Sequence, residues 1–337
     1  MNIIDRKRDH IEIVRSGRAQ ATVTTGFDAI RFVHCALPEL DFGDVDLSTR
    51  FLGKPLRLPF LISSMTGGPA RAEAINVHLA EAAQALGIAF AVGSQRVALQ
   101  EGALAGFSSQ LRRLAPDVPI YANFGAIQLV NGFGQAEARR AVDMIEADAL
   151  ILHLNPLQES IQEHGDVNWK GVLHGIGRIV RESGVPVIIK ETGCGISPAL
   201  AAALADCGVS AIDVAGAGGT SWAAVEGARS ATPSKRAMGE IFRDWGIPTA
   251  TALSAIAGIL PQMPLIGSGG IRNGLDAAKA IRLGAALVGQ AAPVLEAGIE
   301  GPERVVAHFE EMAMALRIAC FCTGSANLAR LREAPLL

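Results

Sequence analysis

Aromatic residues make up only 5% of the 337-residue chain, against 50% hydrophobic residues overall and 37 glycines. So few rings argue against a β-sandwich; a core of small and branched side chains with many tight turns fits a parallel α/β enzyme better. Long hydrophobic runs are also missing. No stretch of about 18 uncharged apolar residues occurs, so no membrane-spanning helix is expected. The opening MNIIDRKRDHIEIVR lacks the apolar centre of a signal peptide. A mean hydropathy of +0.30 therefore reflects a large interior, and a cytoplasmic protein is expected. Charge of one sign does not dominate: 30 Lys and Arg against 33 Asp and Glu leave a net −3, with no basic field to hold nucleic acid. The five cysteines, Cys35, Cys194, Cys207, Cys320 and Cys322, are odd in number and scattered, as reduced thiols in a cytoplasm are. Cys320 and Cys322 lie in an apolar, helix-like stretch with no second pair, which rejects a zinc site.

What the chain does have is a rhythm. Strand-like runs recur as LPFLIS (from Leu58), IAFAVG (Ile88), PIYANFG (Pro119), ALILHLN (Ala149), PVIIKETG (Pro186), AIDVAG (Ala211), PLIGSGG (Pro264) and AALVGQAA (Ala285). Most starts are roughly 30 residues apart, the length of a β-α unit. Segments between them, such as AEAINVHLAEAAQALG and LDAAKAIRLG, carry alanine and leucine at helical spacing and stop at glycine. Eight units predict one (β/α)8 barrel, a TIM barrel, over residues 1–337. A doubly wound sheet is the alternative, but its Gly-rich dinucleotide turn is missing after the first strand, which ends in SSMTGG. Two segments break the rhythm. The first 50 or so residues are expected to cap one end of the barrel. The insertion between the sixth and seventh strands, residues 220–247, is polar and is expected to form a flexible lid over the active-site end.

In a barrel the C-terminal strand ends share one rim. Here that rim is small, polar or cationic: Ser63 to Gly68, Gly93 to Arg96, Asn123, His153 with Asn155, Lys190, Gly216 to Thr220, Gly267 to Arg272, and Gly289 to Ala292. GSGGIR, followed by the helix-like NGLDAAKAIRLG, predicts a phosphate grip: glycines let backbone N–H groups approach an oxyanion, and the next helix turns its positive end toward it. Thr220 can add a hydroxyl. Lys190 closes a buried strand, as either a Schiff-base amine or a fixed cation facing developing negative charge. With phosphate, Asn123 and Ser94 nearby, it suits flavin mononucleotide (FMN), although a Schiff-base aldolase keeps the same two features. The ending of the fourth run, HLNPLQE, gathers polar groups around Pro156 that a buried strand does not need in order to fold.

RKRDHIEI (6–13), FDAIRFVHCALPEL, SSMTGG, VGSQRVAL, YANFGAIQL, HLNPLQE, IIKETGCGIS, GAGGTSW, GSGGIRNGLDAAKAI and GQAAPVL follow one another in an order that resembles the type 2 isopentenyl-diphosphate isomerases over nearly the whole chain. MTGG, GSQR, HLNPLQE and the opening Arg6-Lys7 with His10 are the most specific. The resemblance implies a (β/α)8 barrel using FMN and Mg2+, with NADPH or another reductant although the reaction has no net redox change. It also implies a homotetramer or octamer. Glu159 would hold Mg2+, an oxygen-seeking cation that suits a carboxylate. Gln158 would meet the isoprene double bond, with His153 and Asn155 on the diphosphate side. Arg6, Lys7, His10, Ser94, Gln95 and Arg96 would complete the substrate pocket, where guanidinium forks match phosphate oxygens. FMN would meet Ser63, Ser64, Met65, Thr66, Ser94, Asn123, Lys190, Thr220, Gly270, Ile271, Arg272, Ala291 and Ala292. Catalysis would rest on Gln158, Lys190 and His153 around reduced FMN. One departure is Ala215, where some relatives carry a serine that can touch FMN; its loss would weaken flavin binding by about 1 kcal/mol. A hydroxy-acid oxidase would need a histidine base after the lysine strand, and ETGCG offers none. An IMP dehydrogenase would need a cysteine in GAGGTSW, which has none. A barrel that binds FMN without catalysis would need neither Gln158 with Glu159 nor the N-terminal basic pair.

Overall fold

The computed structural model describes residues 3–64, 70–101 and 107–337, with side chains described from residue 9 onward except 70–72 and 101. Two short antiparallel strands, β1 (Thr49–Phe51) and β2 (Lys54–Leu56), form a hairpin. Eight parallel strands then close a barrel: β3 (Phe60–Ile62), β4 (Ala89–Ala91), β5 (Ile120–Gly125), β6 (Ala149–Leu154), β7 (Val187–Glu191), β8 (Ala211–Asp213), β9 (Leu265–Gly267) and β10 (Ala285–Gln290), with β10 pairing back onto β3. Each lies within one of the eight apolar runs of the sequence. This is the (β/α)8 barrel, and the helices between its strands, among them Ala70–Leu86, Gln135–Ile145, Val172–Glu182 and Gly274–Arg282, form the outer ring.

Alternation along the strands divides the core in two. Leu61, Ile151, Ile188, Ile266 and Leu287 point inward and pack with Ala89, Ala91, Ala149 and Ala211, while their neighbours Phe60, Ile62, Val187 and Ile189 face the helices. Four alanines in this inner cluster leave room for the Phe51 and Tyr121 rings within it. Each fully buried Leu or Ile contributes about 1.5–3 kcal/mol relative to exposure. Ile188→Ala at the barrel centre would therefore cost about 2–5 kcal/mol, cavity included.

Residues 3–56 serve both ends of the barrel rather than capping one. Phe51 and Leu56 of the hairpin join the inner cluster, Phe51 lying 6.5 Å from the Tyr121 ring, and close the N-terminal end. The helix Ile3–Arg15 lies at the opposite, C-terminal rim, where Ile13 packs with Ala224 and Val225. Among the described residues no helix is long and apolar enough to cross a membrane.

The insertion after β8 also differs from the expected flexible loop. It folds as two helices, Trp222–Arg229 and Pro233–Ile241, joined by a three-residue turn. Ser221 caps the first by accepting from the Ala224 N–H, and Pro233 opens the second where a missing N–H costs nothing. The helices meet at Gly227 and Gly239, where a Cβ on Gly239 would lie 2.6 Å from the Gly227 Cα. Polar residues outside and glycine at the crossing make the segment look like a loop in sequence, although it packs as a hairpin of helices.

Candidate active site

Parallel register sets one row of polar side chains across the top of the barrel. His153 on β6 pairs with Lys190 on β7, which pairs with Asp213 on β8. Above that row the strand ends and the helix at the N-terminus enclose a cavity of about 500 Å3. Sequence reasoning placed Ser63, Ser64, Ser94, Arg96, Asn123, His153, Asn155, Gln158, Glu159, Lys190, Thr220, Gly270, Ile271, Arg272, Ala291 and Ala292 in a single site, and all of them line this cavity together with His10. Met65 and Thr66 lie outside the described residues, as do the side chains of Arg6 and Lys7.

Gln95 does not line the cavity. Its side chain is 0% exposed and turns down between strands and helix, accepting from the Asn123 N–H (2.9 Å) and donating to the Ala141 carbonyl (2.9 Å). A buried carboxamide must be satisfied from both ends, and here the protein backbone does so. The substrate-contact role expected for Gln95 is therefore replaced by a supporting one. Conversely, Gln128, Gln162 and Trp222 line the cavity without having been singled out. Glu226, from the inserted helix, reaches the back of the site: its Oε1 accepts from His10 Nε2 (2.9 Å) and Gln158 Nε2 (2.9 Å), and its Oε2 from Arg229 (2.7 Å).

HLNPLQE takes its form from a helix start. Asn155 precedes the helix Pro156–Ile161, Pro156 occupies its first turn, and the turn brings Gln158 and Glu159 back over Asn155. Asn155 Nδ2 donates to both Gln158 Oε1 and Glu159 Oε1 at 3.0 Å. Glu159 Oε2 accepts from Gln162 Nε2 (3.0 Å) and from the Asp166 N–H (2.8 Å), so this buried carboxylate is held from both sides. Among the described residues no group of three or more His, Cys, Asp or Glu forms a metal cage. A lone, oriented carboxylate fits a cation of the Mg2+ type, which keeps several waters and takes further oxygens from a phosphate-bearing ligand.

The other half of the cavity fits a flavin nucleotide. Among the described residues buried Ser63 Oγ and Ser64 Oγ have no hydrogen-bond partner, which leaves two donors for a ligand. Gly219 and Gly270 approach so closely that a Cβ on Gly219 would lie 2.6 Å from the Gly270 N, a cradle open only to glycine. Thr249 Oγ1 steadies that turn through the Gly269 carbonyl (2.6 Å), and Asn273 starts the next helix by accepting from the Asp276 N–H (2.9 Å). Lys190 Nζ donates to the Glu191 carbonyl (2.8 Å) and stands 3.6 Å from Asp213, whose other oxygen accepts from Ser268 (2.6 Å). Ala215, on the cavity wall, has a φ of 36°, unusual for a residue with a Cβ.

Barrel, phosphate cradle and fixed lysine together define a phosphate-gripping (β/α)8 enzyme, and the family comparison makes it an FMN-dependent one. The family model for FMN-dependent dehydrogenases matches residues 13–109 and 133–336. The chain is 62% identical over 337 residues to an isopentenyl-diphosphate delta-isomerase of Stutzerimonas stutzeri, covering 100% of this chain and 97% of that protein. It is 60% identical to one of Xanthobacter autotrophicus (98% and 96% covered) and 50% identical to one of Synechocystis (98% and 95% covered). This chain belongs to the FMN-dependent, type 2 isopentenyl-diphosphate delta-isomerase family. Solved structures of a mandelate oxidase (17% identical, TM-score 0.69, 99% and 97% covered) and of flavocytochrome b2 (17%, 0.70, 96% and 81% covered) share the fold.

Proposed function

We propose that this enzyme converts isopentenyl diphosphate to dimethylallyl diphosphate by a 1,3-proton shift, with reduced FMN, Mg2+ and NADPH as the source of reducing equivalents. The observation that carries this reading is the pair Gln158 and Glu159, presented side by side into a cavity whose ionisable groups offer no free acid and base to an unactivated alkene. His153 is neutral near pH 7, because burial, then the charges of Lys190 and Arg96, push its imidazole down to about 4. Glu159 already accepts from three donors. Bound reduced FMN would supply the proton-transfer chemistry at the alkene.

The protein's own residues then orient and neutralise. Arg96, held by Asp166 at 3.0 Å, is aimed at the diphosphate side, with Arg6 and Lys7 assigned there from the sequence. Glu159 would hold the Mg2+, which would neutralise charge on the diphosphate side. Gln158, fixed between Asn155 and Glu226, would present a neutral dipole to the alkene, and Lys190 would supply a positive charge to the bound flavin. Ser63, Ser64, Ser94, Thr220, the Gly270–Arg272 turn and Ala291–Ala292 seat the cofactor. Oxidation of a hydroxy acid, as in the fold's oxidases, is disfavoured because Thr192, Gly193 and Cys194 follow the Lys190 strand end where that chemistry needs a histidine base. Assembly as a homo-oligomer is part of the proposal and is read by light scattering.

Purified enzyme assayed by proton NMR under anaerobic conditions, with FMN, Mg2+ and reductant omitted in turn, tests the reading; product that forms without any one of them overturns that part. Glu159→Gln is expected to abolish Mg2+-dependent turnover and leave FMN binding intact. An active Glu159→Gln enzyme would remove the metal role.

A further inference from the structure

Gln95 clamps a neighbour instead of touching the cavity. Its Oε1 accepts from the Asn123 N–H (2.9 Å), and its own N–H donates to the Asn123 carbonyl (2.8 Å), so one residue holds both backbone groups of Asn123. Asn123 Nδ2 donates to the Val92 carbonyl (3.2 Å), which fixes the orientation of its side-chain amide. Oδ1 is thereby turned to His153 Nδ1, at 2.9 Å. A carboxamide oxygen can only accept, so Nδ1 carries the hydrogen, and a neutral imidazole has just one. The Nε2 lone pair is left bare. Gly125, in register with His153, keeps it open: a Cβ there would lie 3.2 Å from Nε2. Both residues line the cavity. The charged groups acting on the imidazole, Lys190 from β7 and Arg96 from the end of β4, are cations, and each opposes a second proton on the ring.

We propose that Gln95 is a positioning residue that, through Asn123, holds His153 as a neutral imidazole protonated on Nδ1, so that Nε2 selects a ligand group bringing its own hydrogen, an O–H or N–H, over a bare phosphate oxygen. The resemblance implied only that His153 lies on the diphosphate side; the tautomer adds which kind of group its Nε2 can accept from. The part it plays in turnover rests on the isomerase reading; the tautomer does not.

The test is nitrogen NMR of FMN-loaded enzyme carrying 15N-labelled histidine, with His153→Asn identifying the signals. One protonated and one bare nitrogen, the hydrogen on Nδ1, is expected near neutral pH. A hydrogen on Nε2, or on both nitrogens, overturns the proposal. Gln95→Met, similar in size but without the amide, is expected to give a mixture of tautomers and about a tenfold loss of kcat/KM, the size of one misplaced hydrogen bond. An unchanged tautomer in that variant would remove Gln95 from the role. Asn123→Asp provides a second, independent arm, since a carboxylate against Nδ1 raises the pH at which the ring takes its second proton; an unmoved His153 titration in that variant would refute the Asn123 contact. The spectra need no substrate, so a failed isomerisation assay and a failed tautomer are separate results.

Discussion

Replacing Glu226 with glutamine would show whether the inserted helices and the active site behave as one unit. The carboxylate is 2% exposed, yet it accepts from His10 and Gln158 on one oxygen and from Arg229 on the other. Burial pushes its carboxyl up, but hydrogen bonds and charge from His10, then Gln158 and Arg229, outweigh burial and hold it at about 2 rather than 4.5. That difference corresponds to about 3 kcal/mol of stabilisation for the ionised form. Glutamine can offer one oxygen only. If it faces His10 and Gln158, its NH2 meets the Arg229 guanidinium, donor against donor, and that buried cation loses one of its counter-charges, with Asp9 remaining at 3.7 Å. Breaking a buried pair this way costs about 3–5 kcal/mol. A carboxyl held low contributes fully above pH 4.5, and its contribution is lost as pH falls toward 2. Urea unfolding of both proteins across that range should therefore show a gap of about 3 kcal/mol near neutrality that closes in acid. In the opposite orientation the NH2 faces Gln158 instead, donor against donor, and Gln158 should lose its aim, lowering kcat more than it raises KM. Equal stability at neutral pH, or a gap that acid does not close, would refute this account.

Other substitutions test separate parts of the molecule. His153 is held at about 4, below its ordinary 6.5, so its neutral burial is free of cost above 6.5 and subtracts up to about 3 kcal/mol as pH falls toward 4. His153→Asn should flatten the stability profile between those two values. Gly239→Ala should separate the inserted helices at a cost of about 1–3 kcal/mol, read as faster proteolysis within 222–241. Gly227→Ala, at the same crossing, should do the same, and the double variant should cost less than the sum. Gly219→Ala would set a Cβ 2.6 Å from the Gly270 N. The purified variant should be colourless while its circular dichroism shows an intact barrel; a yellow Gly219→Ala protein would mean that the cradle holds something other than the flavin phosphate.

The barrel was legible because its strands are buried on both faces. PVIIKETG contains β7 and ALILHLN contains β6 as unbroken apolar runs, and glycine or a polar rim residue marks each end. The rim residues were legible because parallel strands bring their C-terminal ends to one place whatever the loops do. Gln95 was misplaced for a physical reason: a polar residue beside Arg96 at a strand end looks ligand-facing, and its partners Asn123 and Ala141 lie 28 and 46 residues away. Glu226 was missed because an acid in a polar insertion reads as solvated. WAAVEGA held the contrary signal, since Ala223, Val225 and Gly227 flank Glu226 in a stretch with no other charge before Arg229, and all of them are buried.

The charges of the site are kept mostly in pairs at its edge, Arg96 with Asp166, Lys190 with Asp213, and His10 with Glu226, while carboxamides fill the middle. Asn123, Gln128, Asn155, Gln158 and Gln162 each carry a strong dipole and no proton to lose. Among the described residues Asn155 Oδ1 and Gln128 Oε1 are buried without a partner, so part of that dipole field faces the cavity. Such a lining suits a reaction whose charge appears briefly on a hydrocarbon, because fixed dipoles stabilise it without offering a base that would trap it. An oxidase of the same barrel has the opposite need, a side chain that keeps the proton it removes. The barrel is shared with those oxidases; the bed of amides lining this cavity is what suits it to the other chemistry.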